Sequence, residues 1–238
     1  MRFHDVFCYP QLSKRGRIHR IFGNTVLGTA ISLCTLTNFV HGALTLSEVL
    51  DRMGAQQKTI QDVTFKFDER IQRGDFPADR ISGVVEFKQP HALKVLQKVP
   101  DAQVLISNGT TFWLYSPAQQ QELTGNWPAW VKQSHFPLPL LDWVGTLSPD
   151  RWKSQYTVLF GGYQDSEYEL HFKPNRAGDW PLTLWVSERN FLPLRGSMQQ
   201  EGITIQVTLQ AIKINTGLKE ENFTPNVPAG TTQIPVHF

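Results

Sequence analysis

The stretch "VLISNGTTFWLYSP", residues 104–117, decides how the chain folds. Asn108-Gly109 stands between two short apolar runs. A tight hairpin turn needs positive φ, which Asn and Gly adopt at low cost, so the stretch is predicted to be two antiparallel strands. After the turn, Phe112 and Leu114 point to one face of a strand, and Trp113 and Tyr115 to the other. A sheet with one wet face alternates apolar and polar residues. This strand is apolar on both faces, so something must cover the second face, and the connecting loops are the candidates.

Outward from the hairpin, short strand signals fill most of the chain. "DVTFKFDERIQ" (62–72) alternates Val63, Phe65 and Phe67 against Thr64, Lys66 and Asp68. "ISGVVEFKQ" (81–89) sets Val85 and Phe87 opposite Val84, Glu86 and Lys88. Further strands are expected at 92–98, 103–107, 111–115, 119–124, 156–160, 166–173, 181–187, 193–200 and 203–214. Ahead of them "LTLSEVLDRMGAQQ" (44–57) spaces Leu46, Val49, Leu50 and Met53 as an amphipathic helix, and Thr45-x-x-Glu48 can form a capping box. The segment 127–152 has no period-two pattern, and its prolines break long helices, leaving "LPLLDWVG" and "PDRW" as short ones. Many short strands with turn signals imply a sandwich or barrel. No linker, repeat or low-complexity segment divides the chain, so 43–238 is read as one domain.

If the sheet curls, its concave face is an apolar interior. Phe65, Phe67, Val85, Phe87 and Gln89 share that face by parity, while Thr64, Lys66, Asp68, Glu86 and Lys88 face water. Hairpin parity adds Leu105, Phe112 and Leu114. Two segments show an apolar side that can cover the interior: Leu46, Leu50 and Met53 in one, Leu138, Leu140, Leu141 and Val144 in the other. Periodicity alone leaves open whether the space between is a packed core or a cavity.

Composition excludes several classes. The chain has 238 residues, 40% of them hydrophobic and 18% charged, with a net charge of +2, an ordinary globular balance. Lys14, Arg15, Arg17 and Arg20 lie near the N-terminus, and no basic stripe with interleaved aromatics offers a nucleic-acid surface. Those basic residues instead head an export signal. "KRGRIHR" (14–20) is its n-region, 21–40 a mostly apolar h-region, and "VHG" (40–42) a small-residue cleavage site, so residues 1–42 are expected to be removed before Ala43. An uncleaved membrane anchor is the competing reading, weakened by the polar residues within 21–40. Both cysteines, Cys8 and Cys34, fall inside this segment, and Leu33 before Cys34 is the wrong neighbour for lipid attachment. An exported chain without cysteine has no disulfides and depends on its core.

Motifs of catalysis are absent: no G-x-S-x-G, H-E-x-x-H, P-loop or G-x-G-x-x-G. No two of the histidines sit at helical ligand spacing, so neither a metal nor another cofactor is expected. His171 reads as a sheet-face residue, Glu167 and Glu169 as a solvated strand face, and Ser197 lacks an oxyanion-hole pattern. The sequence gives no support to an enzyme.

The order of features resembles the periplasmic outer-membrane lipoprotein carrier family, LolA. The likeness runs from about Leu46 to Gly230 and is most specific in "FKQPHALKVLQKVPDAQVLISNGTTFWLYSPAQQQ" (87–121). There Pro90, Pro100, Asn108-Gly109, Trp113, Tyr115, Pro117 and Gln121 match the family's two prolines, hairpin, Leu-Trp-x-Tyr-x-Pro and later Gln. Phe223-x-Pro225 and Gly230 match its closing pattern. The resemblance implies a mainly β fold: an open, incomplete antiparallel β-barrel of about eleven strands under an α-helical lid. It implies a monomeric carrier that holds the acyl chains of lipoproteins, takes them from an ABC-type inner-membrane release complex and hands them to an outer-membrane receptor lipoprotein, without catalysis. A second reading puts a lipid- or lipoprotein-sensing module, or one for another acylated cargo, on the same half-barrel. Two departures stand out. Gln89 takes the place of a family Arg that can bond lid backbone, and Leu93 and Val95 replace large aromatics that follow the Pro. Leu93 joins the acyl-contacting set on this basis, and Gln89 is the residue expected at the lid.

Overall fold

Backbone pairing turns the strand pattern into one sheet. A computed structural model describes residues 44–134, 154–176 and 180–237, and Thr45–Phe238 is one compact unit. Helix α1 (Leu46–Thr59) leads, followed by β1 (Asp62–Arg73), β2 (Asp79–Lys88), β3 (Ala92–Val99), β4 (Gln103–Ser107), β5 (Thr111–Ser116) and β6 (Gln121–Asn126). Helix α2 (Trp127–Ser134) comes next. Then follow β7 (Tyr156–Gln164), β8 (Glu167–Pro174), β9 (Leu182–Ser187), β10 (Pro193–Gln200), β11 (Ile203–Ile214) and β12 (Thr232–Val236). The sheet is open, with 12 strands in the order β12-β6-β5-β4-β3-β2-β1-β11-β10-β9-β8-β7. All neighbours are antiparallel except β6 and β12. It is the open half-barrel expected, with one strand more. β12 escapes a sequence reading because Pro235 sits in it. Proline is tolerated there because β12 is an edge strand.

The hairpin pairs as parity requires: Leu105 with Leu114, Ile106 with Trp113, Ser107 with Phe112. Its turn differs from the expected one. Only Gly109 takes positive φ (88°), and Asn108 instead accepts from the N–H groups of Thr110 (3.0 Å) and Thr111 (2.8 Å) through Oδ1. The connection is therefore a three-residue loop built on an Asx turn. Gly109 is also required for space, since a Cβ there would lie 2.4 Å from the His91 Cβ.

What covers the second face is the C-terminal crossover. After β11, residues 215–231 pass to the far edge, where β12 joins β6. Asp62, on the outer face, anchors its start. Its carboxylate accepts from the N–H and hydroxyl of Thr216 (2.7 and 2.9 Å) and the N–H groups of Gly217 (2.9 Å) and Leu218 (3.2 Å). Burial raises the Asp62 pKa, but these bonds outweigh it and hold the group below its ordinary value. Further along, Lys88 pairs with Glu220 at 2.7 Å, and Phe223 is buried in a single turn (Glu220–Phe223) that packs on β3. On the same outer face Ile106 is buried, and Trp113 and Tyr115 are half-buried.

Helix α1 begins with the expected capping box: Glu48 N–H donates to Thr45 Oγ1 (3.3 Å), and Thr45 N–H donates to Glu48 Oε2 (2.8 Å). Its buried stripe is Val49, Met53, Gly54 and Gln57, with Leu46 and Leu50 half-buried at the flank. The expected centre at Leu46, Leu50 and Met53 is therefore rotated toward Val49. Met53 and Val49 are four residues apart and lie above one another on the same face.

Candidate ligand-binding face

Strand register gathers the apolar residues into rows across the inner face. One row runs Val63, Phe87, Leu93, Ser107, Phe112, Gly125 and Val236; the next runs Phe65, Val85, Val95, Leu105, Leu114, Leu123 and Ile234. The sequence-predicted residues thus stand side by side. Phe65, Val85, Phe87, Leu93, Leu105 and Phe112 are all at most 5% exposed, while Phe67 and Leu114 are half-buried.

The other half of the face was not named from sequence. Leu170, Phe172, Leu182, Leu184, Val186 and Val207 are buried on it. Register links them: Val207 to Gly196, Gly196 to Leu184, Leu184 to Leu170. Their signal was present as strict alternation in "EYELHF" and as the looser alternation of "LTLWV". It lacked a hairpin like Asn108-Gly109 to fix which side was inner.

Both helices cover this face. The Arg52 guanidinium of α1 lies 5.2 Å from the centroid of the Phe191 ring, which stacks on Tyr168 at 6.1 Å. Trp130 of α2 lies 5.2 Å from Phe112, and Trp127 stacks on Trp130. Helix α2 precedes the segment that the sequence reading favoured. Its signal was Asn126 followed by Trp127-Pro128: Asn126 Oδ1 caps the helix by accepting from Ala129 N–H (2.9 Å), and Pro fits a first turn. The expected second lid segment, with Leu138, Leu140, Leu141 and Val144, lies outside the described residues. Beside α2, an open groove of about 580 Å³ lies against the ends of the paired strands β6 and β12, lined by Thr124, Gly125, Ala129 and Val236 among others.

The end of α1 is tied down by polar bonds. Gln89 Nε2 donates to the Ile60 carbonyl at 2.7 Å, and Gln89 N–H donates to the Gln61 carbonyl at 2.8 Å. A second tie, which the sequence did not disclose, is Asn215. Its Nδ2 donates to the Thr59 carbonyl (2.8 Å) and its Oδ1 accepts from Gln61 N–H (2.7 Å). Asn215 has φ of 55°, a left-handed conformation that Asn tolerates better than most residues. If these ties hold α1 against the sheet, Gln89→Ala removes one neutral bond, worth about 0.5–1.5 kcal/mol, and opening is favoured by up to roughly tenfold. The check is the uptake rate of a fluorescent apolar probe. Faster uptake by Gln89→Ala is expected, and identical kinetics for wild type, Gln89→Ala and Gln89→Arg would contradict a holding role.

Among the described residues, no cluster of His, Cys, Asp or Glu side chains is arranged to hold a metal ion, and no helix is long and apolar enough to cross a membrane. What the face offers chemically is enclosed apolar surface under two helices. The profile of the outer membrane lipoprotein carrier protein LolA family matches residues 58–226. The chain belongs to the LolA family. A curated relative, the outer-membrane lipoprotein carrier protein of Yersinia enterocolitica, is 23% identical over 200 residues, covering 84% of this chain and 94% of the relative. An uncharacterized conserved protein from Thermus thermophilus shares the fold, with a TM-score of 0.53 at 13% identity over 80% of this chain and 98% of the other. A LolA superfamily protein from Nitrosomonas europaea aligns over 77% of this chain and 99% of its own, at 14% identity and a TM-score of 0.43.

Proposed function

We propose that the protein is a periplasmic carrier that shields the acyl chains of lipoproteins on the inner face of its sheet. It receives them from an ABC-type release complex of the inner membrane and delivers them to an outer-membrane receptor lipoprotein. Carriage involves no reaction, cofactor or nucleic acid, and the working form is a monomer that begins at Ala43 after removal of 1–42. The observation that carries this reading is the pair of mainly apolar rows running from β1 to β12 on the inner face, with Trp130 of α2 against Phe112 and Arg52 of α1 against Phe191 beside Tyr168.

The energetics favour such a face as the binding site. Each methylene moved out of water contributes about 0.8 kcal/mol, so a chain of roughly sixteen carbons represents on the order of 12 kcal/mol. Large Phe side chains supply contact that does not depend on chain position, which suits cargo of variable acyl length. In this reading Phe65, Phe67, Val85, Phe87, Leu93, Leu105, Phe112 and Leu114 contact the chain. Leu46, Leu50 and Met53 of α1 move aside as it enters.

Intact-mass spectrometry of the protein purified from a native periplasm tests it. The expected result is a chain starting at Ala43 with acylated polypeptides bound. A preparation carrying a membrane regulator and no acylated cargo would favour a sensing role instead.

A further inference from the structure

By register two acids fall on the inner face among the described residues, Asp79 at its exposed end and Glu69 in its buried part. Glu69 lies on β1 between Phe67 and Ile71 of the same face, opposite Ile81 of β2 and Val207 of β11. The residue is 7% exposed and makes neither a hydrogen bond nor an ion pair among the described residues, although its oxygens are not among the fully enclosed unpartnered atoms. Asp62, Asp68 and Glu167 of the sheet are partnered, by the crossover, Arg80 and Arg195, whereas Glu86 and Glu122 on the outer face each keep one buried carboxylate oxygen without a partner. Burying a carboxyl group without a partner is costly, and a side chain of similar size without that cost, such as Met or Leu, would fit the neighbouring pattern. The row it occupies leads to Val207, Gly196, Leu184 and Leu170, so nothing on that side supplies a donor side chain. A ligand on the face can supply one.

We infer that Glu69 is the polar anchor of the inner face, and that the amphiphile seated there carries a nitrogen-borne hydrogen, an amine or an amide N–H, beside its acyl chain. This rests on the carrier reading and adds a chemical class to it. Ionised, Glu69 accepts and cannot donate, so an anionic head group on the chain meets like charge, an amide gives it one bond, and an ammonium gives a bond and the opposite charge. Burial pushes the Glu69 pKa up to about 7, as expected for a site that lacks a donor of its own. The groups that face it are Phe67 and Ile71 on β1, Asp79, Ile81 and Gly83 on β2, and Ile205, Val207 and Leu209 on β11. Only Asp79 among them is charged, and it is paired with Arg73.

The experiment uses the mature chain loaded with a neutral fluorescent apolar probe at about pH 8, where Glu69 is ionised. Three single-chain amphiphiles of one chain length compete: an alkylammonium, an alkyl amide and an alkyl carboxylate. For the wild type the ammonium is expected to displace the probe at about tenfold lower concentration than the carboxylate, with the amide between. In Glu69→Gln and Glu69→Leu the ratio is expected to fall below about twofold while probe affinity is kept, and Asp51→Asn, on the exposed side of α1, is expected to keep the wild-type ratio. Probe binding with the same ratio in wild type and both Glu69 variants overturns the anchor alone. Failure of the wild type to bind the probe overturns the carrier reading and the anchor with it.

Discussion

Asp62→Ala is expected to lower the unfolding free energy by about 3 kcal/mol, because it strips a buried charged acceptor from several donors at once. The N–H groups of Thr216, Gly217 and Leu218 and the Thr216 hydroxyl all converge on that carboxylate. Without it they are left partly unsatisfied, and the crossover loses its anchor at the start of β1. The outer-face cover beyond it, including Phe223, is then less firmly docked. Asp62→Asn keeps one acceptor oxygen and should cost about half as much. The pH dependence has a definite sign. The folded-state pKa of Asp62 is lowered, so its contribution is present above the ordinary aspartate value and is lost as pH falls through the folded value. Urea unfolding at neutral pH checks the magnitude, and a loss below about 1 kcal/mol would show that the crossover is held by its other contacts.

Glu69→Gln has the opposite consequence. The Glu69 pKa is raised from 4.5 to about 7 by desolvation. Below the unfolded value both states hold the proton and the residue costs nothing extra. Between the two values the folded chain keeps a proton that the unfolded chain has released, so stability falls as pH rises through the folded pKa. At 1.36 kcal/mol per pKa unit the full difference is about 3 kcal/mol, reached above pH 7. Glutamine carries no charge to desolvate, so the variant should be more stable than wild type by about 3 kcal/mol near pH 8 and equal to it near pH 4. Among the residues of β2 that face Glu69, Asp79 is charged, and it pairs with Arg73. Unfolding curves of both proteins across this range give the difference directly. A difference independent of pH would mean that Glu69 is solvated in the folded state.

The strands were legible in the sequence to the extent that period-two alternation and a turn residue coincided. Phe65, Phe67, Val85 and Phe87 were assigned to the right face because polar residues alternate with them on the other. The hairpin at Asn108-Gly109 then propagated that parity to Leu105, Phe112 and Leu114. Where the alternation was equally clear but no turn linked it to β1, as in β8 and β9, strands were found and their inner residues were not. Asp62, Asn215 and Glu69 were illegible for another reason. Their roles depend on partners, or on the lack of them, across 154 to 156 residues of chain or across neighbouring strands. β12 was hidden because its proline contradicts strand propensity, and only its place at the sheet edge makes it tolerable.

Photo-crosslinking from single positions tests the central claim, that acyl chains lie on the inner face, most directly. Leu105 and Trp113 sit on opposite faces of the same hairpin. Each is replaced in turn by a photoreactive phenylalanine analogue, and the protein is irradiated with a lipopeptide or with the same peptide lacking its acyl chains. The account predicts crosslinks from position 105, dependent on the acyl chains, and none above background from position 113. Equal crosslinking from both positions, or crosslinking from 105 that persists without the chains, would contradict it.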